Sequence, residues 1–183
     1  LEVDYIVGAA LAANLLNGYR NYRGKTESGF FILCVKGTIQ ATINGSLYNI
    51  GENALLTLPP NHIMEIQEFS PDIHIYYAGF SPLLIEGINL MKATQHLLLT
   101  IMENPVVILS PLQACSYKMF YESLILSYTS PIAQANKEIT KATLTMFLQG
   151  STEIYNSQHK WHLSSQSRKY AIYQAFLPLV MKY

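Results

Sequence analysis

Five histidines, two cysteines and a short run of carboxylates are the residues here whose types could do chemistry. A metal centre inside a small barrel needs about three imidazoles plus a carboxylate meeting at one point. A His-x-His pair on one strand supplies two of them, because alternate residues share a face. His62, His74, His96, His159 and His162 contain no such pair. His62 falls in a turn beside Pro59-Pro60, and His74 stands between Ile73 and Ile75. His159 and His162 could share a helix face, but Trp161 between them favours a packing role or a solvated linker. Glu65, Glu68 and Asp72 read as a solvated rim rather than an acid–base pair. Cys34 sits in an apolar strand pattern and Cys115 in a helical one, which suits reduced thiols in a cytoplasmic protein. No Gly-x-Ser-x-Gly, Gly-rich phosphate loop or Cys–His partnership is present. The expectation is a non-enzyme with no catalytic residues, no metal and no cofactor.

Composition narrows the partners. Of the 183 residues 50% are hydrophobic and only 13% charged, so some surface should be covered by a partner or a second copy. The 12 basic and 12 acidic residues cancel. A neutral chain argues against this piece gripping a nucleic-acid backbone itself, which needs a basic face. No apolar run is long enough to cross a membrane. The start, Leu1-Glu2-Val3-Asp4, lacks the charged opening of a signal peptide. Both ends read as internal cuts, so a fragment of a longer protein is expected.

The elements that would position any site begin with a hairpin. Ile39–Ile43 and Ser46–Ile50 alternate in hydrophobicity around Asn44-Gly45. A type I′ turn needs positive φ at both central residues, which Asn and Gly tolerate. Apolar strands are expected at Phe30–Val35, Ala54–Leu58, Ile63–Glu68 and Ile73–Phe80, with turn signals between them. Leu1–Arg23 combines a possible opening strand at Asp4–Val7 with an Ala- and Leu-rich stretch of high helix propensity. Ser81-Pro82, Ser110-Pro111 and Ser130-Pro131 each pair an N-cap with a first-turn proline. They should open helical regions at Pro82–Met102, Leu112–Tyr128 and Ile132–Tyr155, and a last helix is expected at Gln166–Tyr183. The fold class is therefore α+β, mainly β: an antiparallel β-barrel of about seven or eight short strands followed by an α-helical dimerisation and linker region. The divisions expected are 1–81, 82–157 and 158–183.

A resemblance sharpens this reading. Gly37, Ile43-Asn44-Gly45, Tyr48, Ile50, Leu55-Leu56, Leu58-Pro59-Pro60-Asn61 and Met64, in that order, resemble the sensor cupin of the AraC-type transcription regulators. The helices after Ser81 are similar in order and length. Ser167–Val180 resembles the linker helix that leads to that family's DNA-binding part. The resemblance covers most of Phe30–Tyr183. It implies a ligand-sensing, dimerising cupin whose DNA contacts come only from a C-terminal domain missing here. Many cupins carry a metal-ligating histidine a few residues past the Pro-Pro, where this chain has Met64. Thioether is a poor ligand for Fe, Mn or Zn.

Two candidate sites follow. A barrel mouth without metal can hold a small polar effector. Phe31, Tyr48, Met64, Tyr76 and Tyr77, with Phe30, are the candidate liners, although the same aromatics could simply fill the core. The helix Ile132–Tyr155 is the candidate homodimer face, through Ile139, Ala142, Met146, Phe147 and Gly150. Pairing of that helix with Leu112–Tyr128 inside one chain is the competing use of those residues. A stand-alone small cupin enzyme, an isomerase or oxygenase, and a purely structural dimerisation module remain as alternatives.

Overall fold

The computed structural model describes residues 5–11, 16–17, 20, 23–82, 84, 101–102, 104–132 and 136–159. The expected helix Gln166–Tyr183 and most of the expected region Pro82–Met102 lie outside them. The described strands are β1 (Tyr5–Leu11), β2 (Arg23–Lys25), β3 (Gly29–Lys36), β4 (Ile39–Ile43), β5 (Ser46–Ile50), β6 (Ala54–Leu58), β7 (Ile63–Phe69), β8 (His74–Phe80) and β9 (Val106–Ile108). Helices α1 (Pro111–Thr129) and α2 (Lys137–His159) follow.

The strands form a five-stranded sheet in the order β1-β8-β3-β6-β9 and a four-stranded sheet in the order β2-β7-β4-β5. Apart from the β4–β5 hairpin and the late arrival of β9, the chain switches sheet at every strand. That order is the double-sheet jelly roll of the cupins, which buries one face of each sheet against the other. The chain is thus mainly β, with an α-helical layer, and both sheets are antiparallel.

The central hairpin forms as its residues require. Asn44 and Gly45 take φ of 49° and 88°, and Ile43 pairs with Ser46 across the turn. Ile39, Ala41 and Ile43 are buried while Gln40 and Thr42 are half-exposed, so β4 turns one apolar face inward. All five residues of β6 are buried, because this strand is covered on both faces. The N-terminal stretch departs from its propensity. Tyr5–Leu11 pairs with β8 along its whole length as a strand, although Val7–Leu11 favours helix. A complete ladder against a core strand outweighs a preference of a few tenths of a kcal/mol per residue.

Helix α1 starts at the expected cap. The Ser110 hydroxyl accepts from the Gln113 backbone N–H at 3.3 Å, and the Gln113 side chain accepts from the Ser110 backbone N–H at 2.9 Å. This reciprocal pair satisfies two otherwise unpartnered donors. Tyr117, Tyr121 and Leu124 of α1, and Leu144, Phe147, Leu148 and Tyr155 of α2, are fully or almost fully buried. They join Phe31, Leu33, Leu55, Tyr76, Ala78 and Phe80 of the five-stranded sheet in one hydrophobic cluster. A second cluster lies between the two sheets and includes Cys34, Ile39, Ala41, Ile43, Ile50, Leu56, Leu58, Ile66, Ile73 and Ile75. The five-stranded sheet is therefore the middle layer of three.

Gly37 follows β3 with a φ of 82°, and a Cβ there would collide with the Ser70 hydroxyl and come within 2.9 Å of Ile73 Cα. Gly45 also has positive φ but open space around it. Gly45→Ala should cost about 1–2 kcal/mol from the left-handed conformation alone. Gly37→Ala should cost clearly more, since the collision adds to that strain. Urea unfolding of the two variants checks this ranking, and equal midpoints would refute it.

Candidate ligand-binding site

The space between the sheets is where a jelly roll can hold a small molecule. Phe30 and Ile32 of β3, Tyr48 of β5, Met64 of β7, Tyr77 of β8 and Val106 of β9 pack there but stay only partly buried. Their backbones fix their direction. In β3, Phe30, Ile32 and Cys34 share the face toward the four-stranded sheet, and Phe31 and Leu33 share the opposite face. In β8, Ile75 and Tyr77 face the inter-sheet space, whereas Tyr76, Ala78 and Phe80 face the helices.

Two glycines make room for the aromatic rings. A Cβ on Gly8 would lie 2.5 Å from the Tyr77 hydroxyl and 2.7 Å from Tyr77 Cζ, and Gly8 is Tyr77's partner in the β1–β8 ladder. A Cβ on Gly79 would lie 2.8 Å from Phe30 Cε1, and Gly79 pairs with Phe30. Each ring thus lies down across the glycine of the neighbouring strand. The two rings, with Tyr48 and Met64, are partly buried side chains packed against the inter-sheet cluster. Side chains of these types suit a ligand with an apolar body and a few polar groups.

The structure divides the five residues proposed from sequence as effector liners. Tyr48, Met64 and Tyr77 come together in the inter-sheet cluster. Phe31 and Tyr76 lie on the other face of the same sheet, 5% and 7% exposed, inside the helix-covered cluster. The Phe31 ring centroid is 5.8 Å from that of Phe80 and 5.4 Å from that of Phe147. Tyr76 OH donates to Glu122 Oε1 at 3.3 Å, and its ring lies 5.8 Å from the Lys118 ammonium. Ile32, Gly8 and Gly79 are members of the inter-sheet surface that sequence reasoning missed. The period-2 alternation of β3 groups Ile32 with Phe30, but both faces of that strand are apolar, so nothing in the pattern marks the inner one.

The residues proposed as a dimer face divide as well. Phe147 is fully buried among Phe31, Phe80, Tyr117 and Tyr121. Gly150 lies against Phe120 of α1, where a Cβ would collide with the ring. Ile139, Ala142 and Met146 point outward, with Ile139 39% and Met146 40% exposed. On α1 a further apolar stripe is exposed: Leu112, Met119 and Leu126, at seven-residue intervals.

For metal and redox chemistry the placement is plain. Among the described residues no three His, Cys, Asp or Glu side chains gather closely enough to hold an ion. His62 Nδ1 lies 3.2 Å from the Pro60 carbonyl oxygen, and the His74 ring stacks on Tyr76 at 5.9 Å. His96, His162 and Trp161 lie outside the described residues. Among the described residues no helix is long and apolar enough to cross a membrane. Burial pushes the Cys34 thiol up to about 11, against a weaker opposing effect of its hydrogen bond to the Lys36 carbonyl.

No known family model matches this chain, and no curated protein matches it. Solved structures do. An RmlC-like cupin with a double-stranded β-helix fold from Methanocaldococcus jannaschii is 22% identical, over 43% of this chain and 66% of that one, with a TM-score of 0.31. The cupin domain of Schizosaccharomyces pombe Cnp3 is 13% identical, over 48% of this chain and 63% of that one, with a TM-score of 0.34. Apo ToxT from Vibrio cholerae is 10% identical, over 85% of this chain and 58% of that one, with a TM-score of 0.47. This chain therefore spans less than two thirds of each of these three chains. The assignment to the cupin class of folds rests on the strand order itself.

The two cysteines should differ in reactivity. Cys34 is buried with a raised pKa, while Cys115 is exposed on α1. At pH 8 a thiol reagent should modify Cys115 in the native protein and reach Cys34 only on unfolding. Rapid labelling of both under native conditions would contradict this placement.

Proposed function

We propose that this chain is the ligand-sensing and dimerisation domain of an AraC-type DNA-binding transcription regulator. One observation carries the reading: a cupin barrel with partly buried aromatic side chains between its sheets shares its middle sheet with a helix pair that exposes Leu112, Met119, Leu126, Ile139 and Met146 on its outer side. An effector seated on Phe30, Tyr48, Met64 and Tyr77 would touch β3 and β8. The opposite faces of those strands hold the helices through Phe31, Tyr76 and Phe80. Occupancy of the mouth and the arrangement of the helices are then linked through one sheet, as a sensor requires. The resemblance at Gly37–Met64 and Ser167–Val180 supports the same assignment. In this reading DNA is contacted by helix-turn-helix units outside these 183 residues, and pairing of two chains sets the spacing of two half-sites. The protein acts in the cytoplasm, without metal and without catalysis.

A small polar effector with an apolar body should raise the melting temperature, because a ligand that binds only the folded state stabilises it by mass action. At a hundredfold excess over Kd the gain is about 2.7 kcal/mol. Tyr77→Ala and Tyr48→Ala should abolish the rise. A panel of sugars and related polyols that never shifts the melt would favour the purely structural dimerisation module instead.

The dimer should form through the outward apolar side chains of the helix layer. Met119→Glu on α1 and Met146→Glu on α2 place a charge on its two exposed faces, and at least one should give monomers in sedimentation equilibrium. A monomeric parent protein, or a dimer unaffected by both changes, would remove dimerisation from the proposal.

A further inference from the structure

The outer face of the four-stranded sheet carries a second concave site. An open groove of about 580 Å³ is lined, among the described residues, by the polar side chains of Arg20, Gln40, Glu65, Gln67 and Glu68. A local irregularity builds it. In the β4–β7 ladder Gln40 pairs with Glu68 but the next residue, Ala41, pairs with Ile66, so Gln67 is an extra residue on β7. A bulge of this kind breaks the strict alternation and re-aims side chains, and bulges recur beside binding sites. Here it brings Gln67 and Glu68 to the face that already carries Glu65 and Gln40.

The hydrogen-bonding capacity of the groove is one-sided. Gln67 Nε2 donates to Thr42 Oγ1 at 2.9 Å, and Gln40 Nε2 donates to Asn49 Oδ1 at 3.1 Å. Both amides are thereby held with their side-chain carbonyls uncommitted. The ion pairs among the described residues are Lys36–Asp72 and Lys118–Glu122, so Glu65, Glu68 and Arg20 share a groove without closing on one another. Arg20 is steadied instead over the Phe69 ring, its guanidinium carbon 6.0 Å from the centroid. Among the described residues the wall therefore offers two carboxylates and two amide carbonyls as acceptors, and one guanidinium as a donor.

We propose that this groove binds a basic α-amino acid. Its carboxylate would pair with Arg20, whose planar fork matches a carboxylate. Its two cationic groups would pair with Glu65 and Glu68, and the Gln40 and Gln67 carbonyls would accept the remaining N–H groups. The signs are complementary: one cation and two anions in the wall meet two cations and one anion on the ligand. The site stands apart from the mouth between the sheets, which lies on the other face of β4 and β7.

Titration calorimetry of the full chain tests this with L-lysine, 1,5-diaminopentane and L-norleucine. L-Lysine should bind at one site per chain. Diaminopentane, which lacks the carboxylate, and norleucine, which lacks the side-chain ammonium, should each bind at least about tenfold more weakly. Glu65→Gln combined with Glu68→Gln should weaken lysine by at least about tenfold. Arg20→Gln should weaken lysine similarly and leave diaminopentane unchanged. These side chains lie on the surface, so circular dichroism melts of the variants should match the parent. No lysine binding at millimolar concentration, or lysine binding unaffected by the double change, would overturn the proposal. Diaminopentane binding as tightly as lysine would overturn the role given to Arg20. Tyr77→Ala should leave lysine binding intact, which separates this site from the effector mouth.

Discussion

Everything in this molecule depends on the five-stranded sheet being covered on both faces. One face packs against the four-stranded sheet and the other against two helices, and the second contact is largely aromatic. Phe147 of α2 is its hub, with ring centroids 5.0 Å from Tyr121, 5.2 Å from Tyr117, 5.4 Å from Phe31 and 5.7 Å from Phe80. The pairs with Phe31 and Tyr121 are edge-to-face, a geometry that adds about 0.5–1.5 kcal/mol each beyond the area buried. Two of the tyrosines that enter the layer bring partners for their hydroxyls: Tyr117 meets Ser151, and Tyr155 donates to the Pro105 carbonyl at 3.4 Å. Burial pushes both phenols above the ordinary tyrosine value, so they stay protonated as neutral donors. The helices are thus part of the barrel's own core and not an appendage.

That arrangement has a dynamic consequence. A close-packed layer transmits displacement because it has no slack. Tyr77 and Tyr76 are neighbours on β8, one facing the inter-sheet space and the other the helices. A movement of that strand by a fraction of an ångström reaches both clusters at once. Gly150 makes the same point on the helix side, since its missing side chain lets Phe120 close onto α2. The outward apolar side chains of α1 and α2 ride on this packing, so a change in the sheet alters how they are presented at the surface.

Much of this was legible in the sequence, and the limits have physical causes. Asn44-Gly45 and Ser110-Pro111 specify local geometry through backbone conformation and capping, and both appear where expected. The mainly β class followed from short alternating strands at regular intervals, and the nine described strands exceed the seven or eight expected because the short edge strands Arg23–Lys25 and Val106–Ile108 carry no alternation of their own. What could not be read was sidedness. In Phe30-Phe31-Ile32-Leu33 and in Ala54–Leu58 both faces are apolar, because the strands are covered twice, and alternation then carries no sign. Phe31 and Phe30 are adjacent and chemically alike, yet they belong to different layers. On α2 the neighbours Met146 and Phe147 differ in the same way, one outward and one at the centre of the core. The strand Val106–Ile108 is too short to show a period of its own, yet it is the outer member of the five-stranded sheet. Gln67 and Glu68 come to one wall through a bulge that no residue type announces.

The glycines under the aromatic rings bear on how this sequence can change over time. Gly8 with Tyr77, and Gly79 with Phe30, each divide a single volume between a backbone and a ring. A methyl group gained at position 8 or 79 demands a smaller residue at its partner. Each pair should therefore drift as a unit, so that among descendants of this chain the space between the sheets alters in paired steps and seldom by one replacement alone.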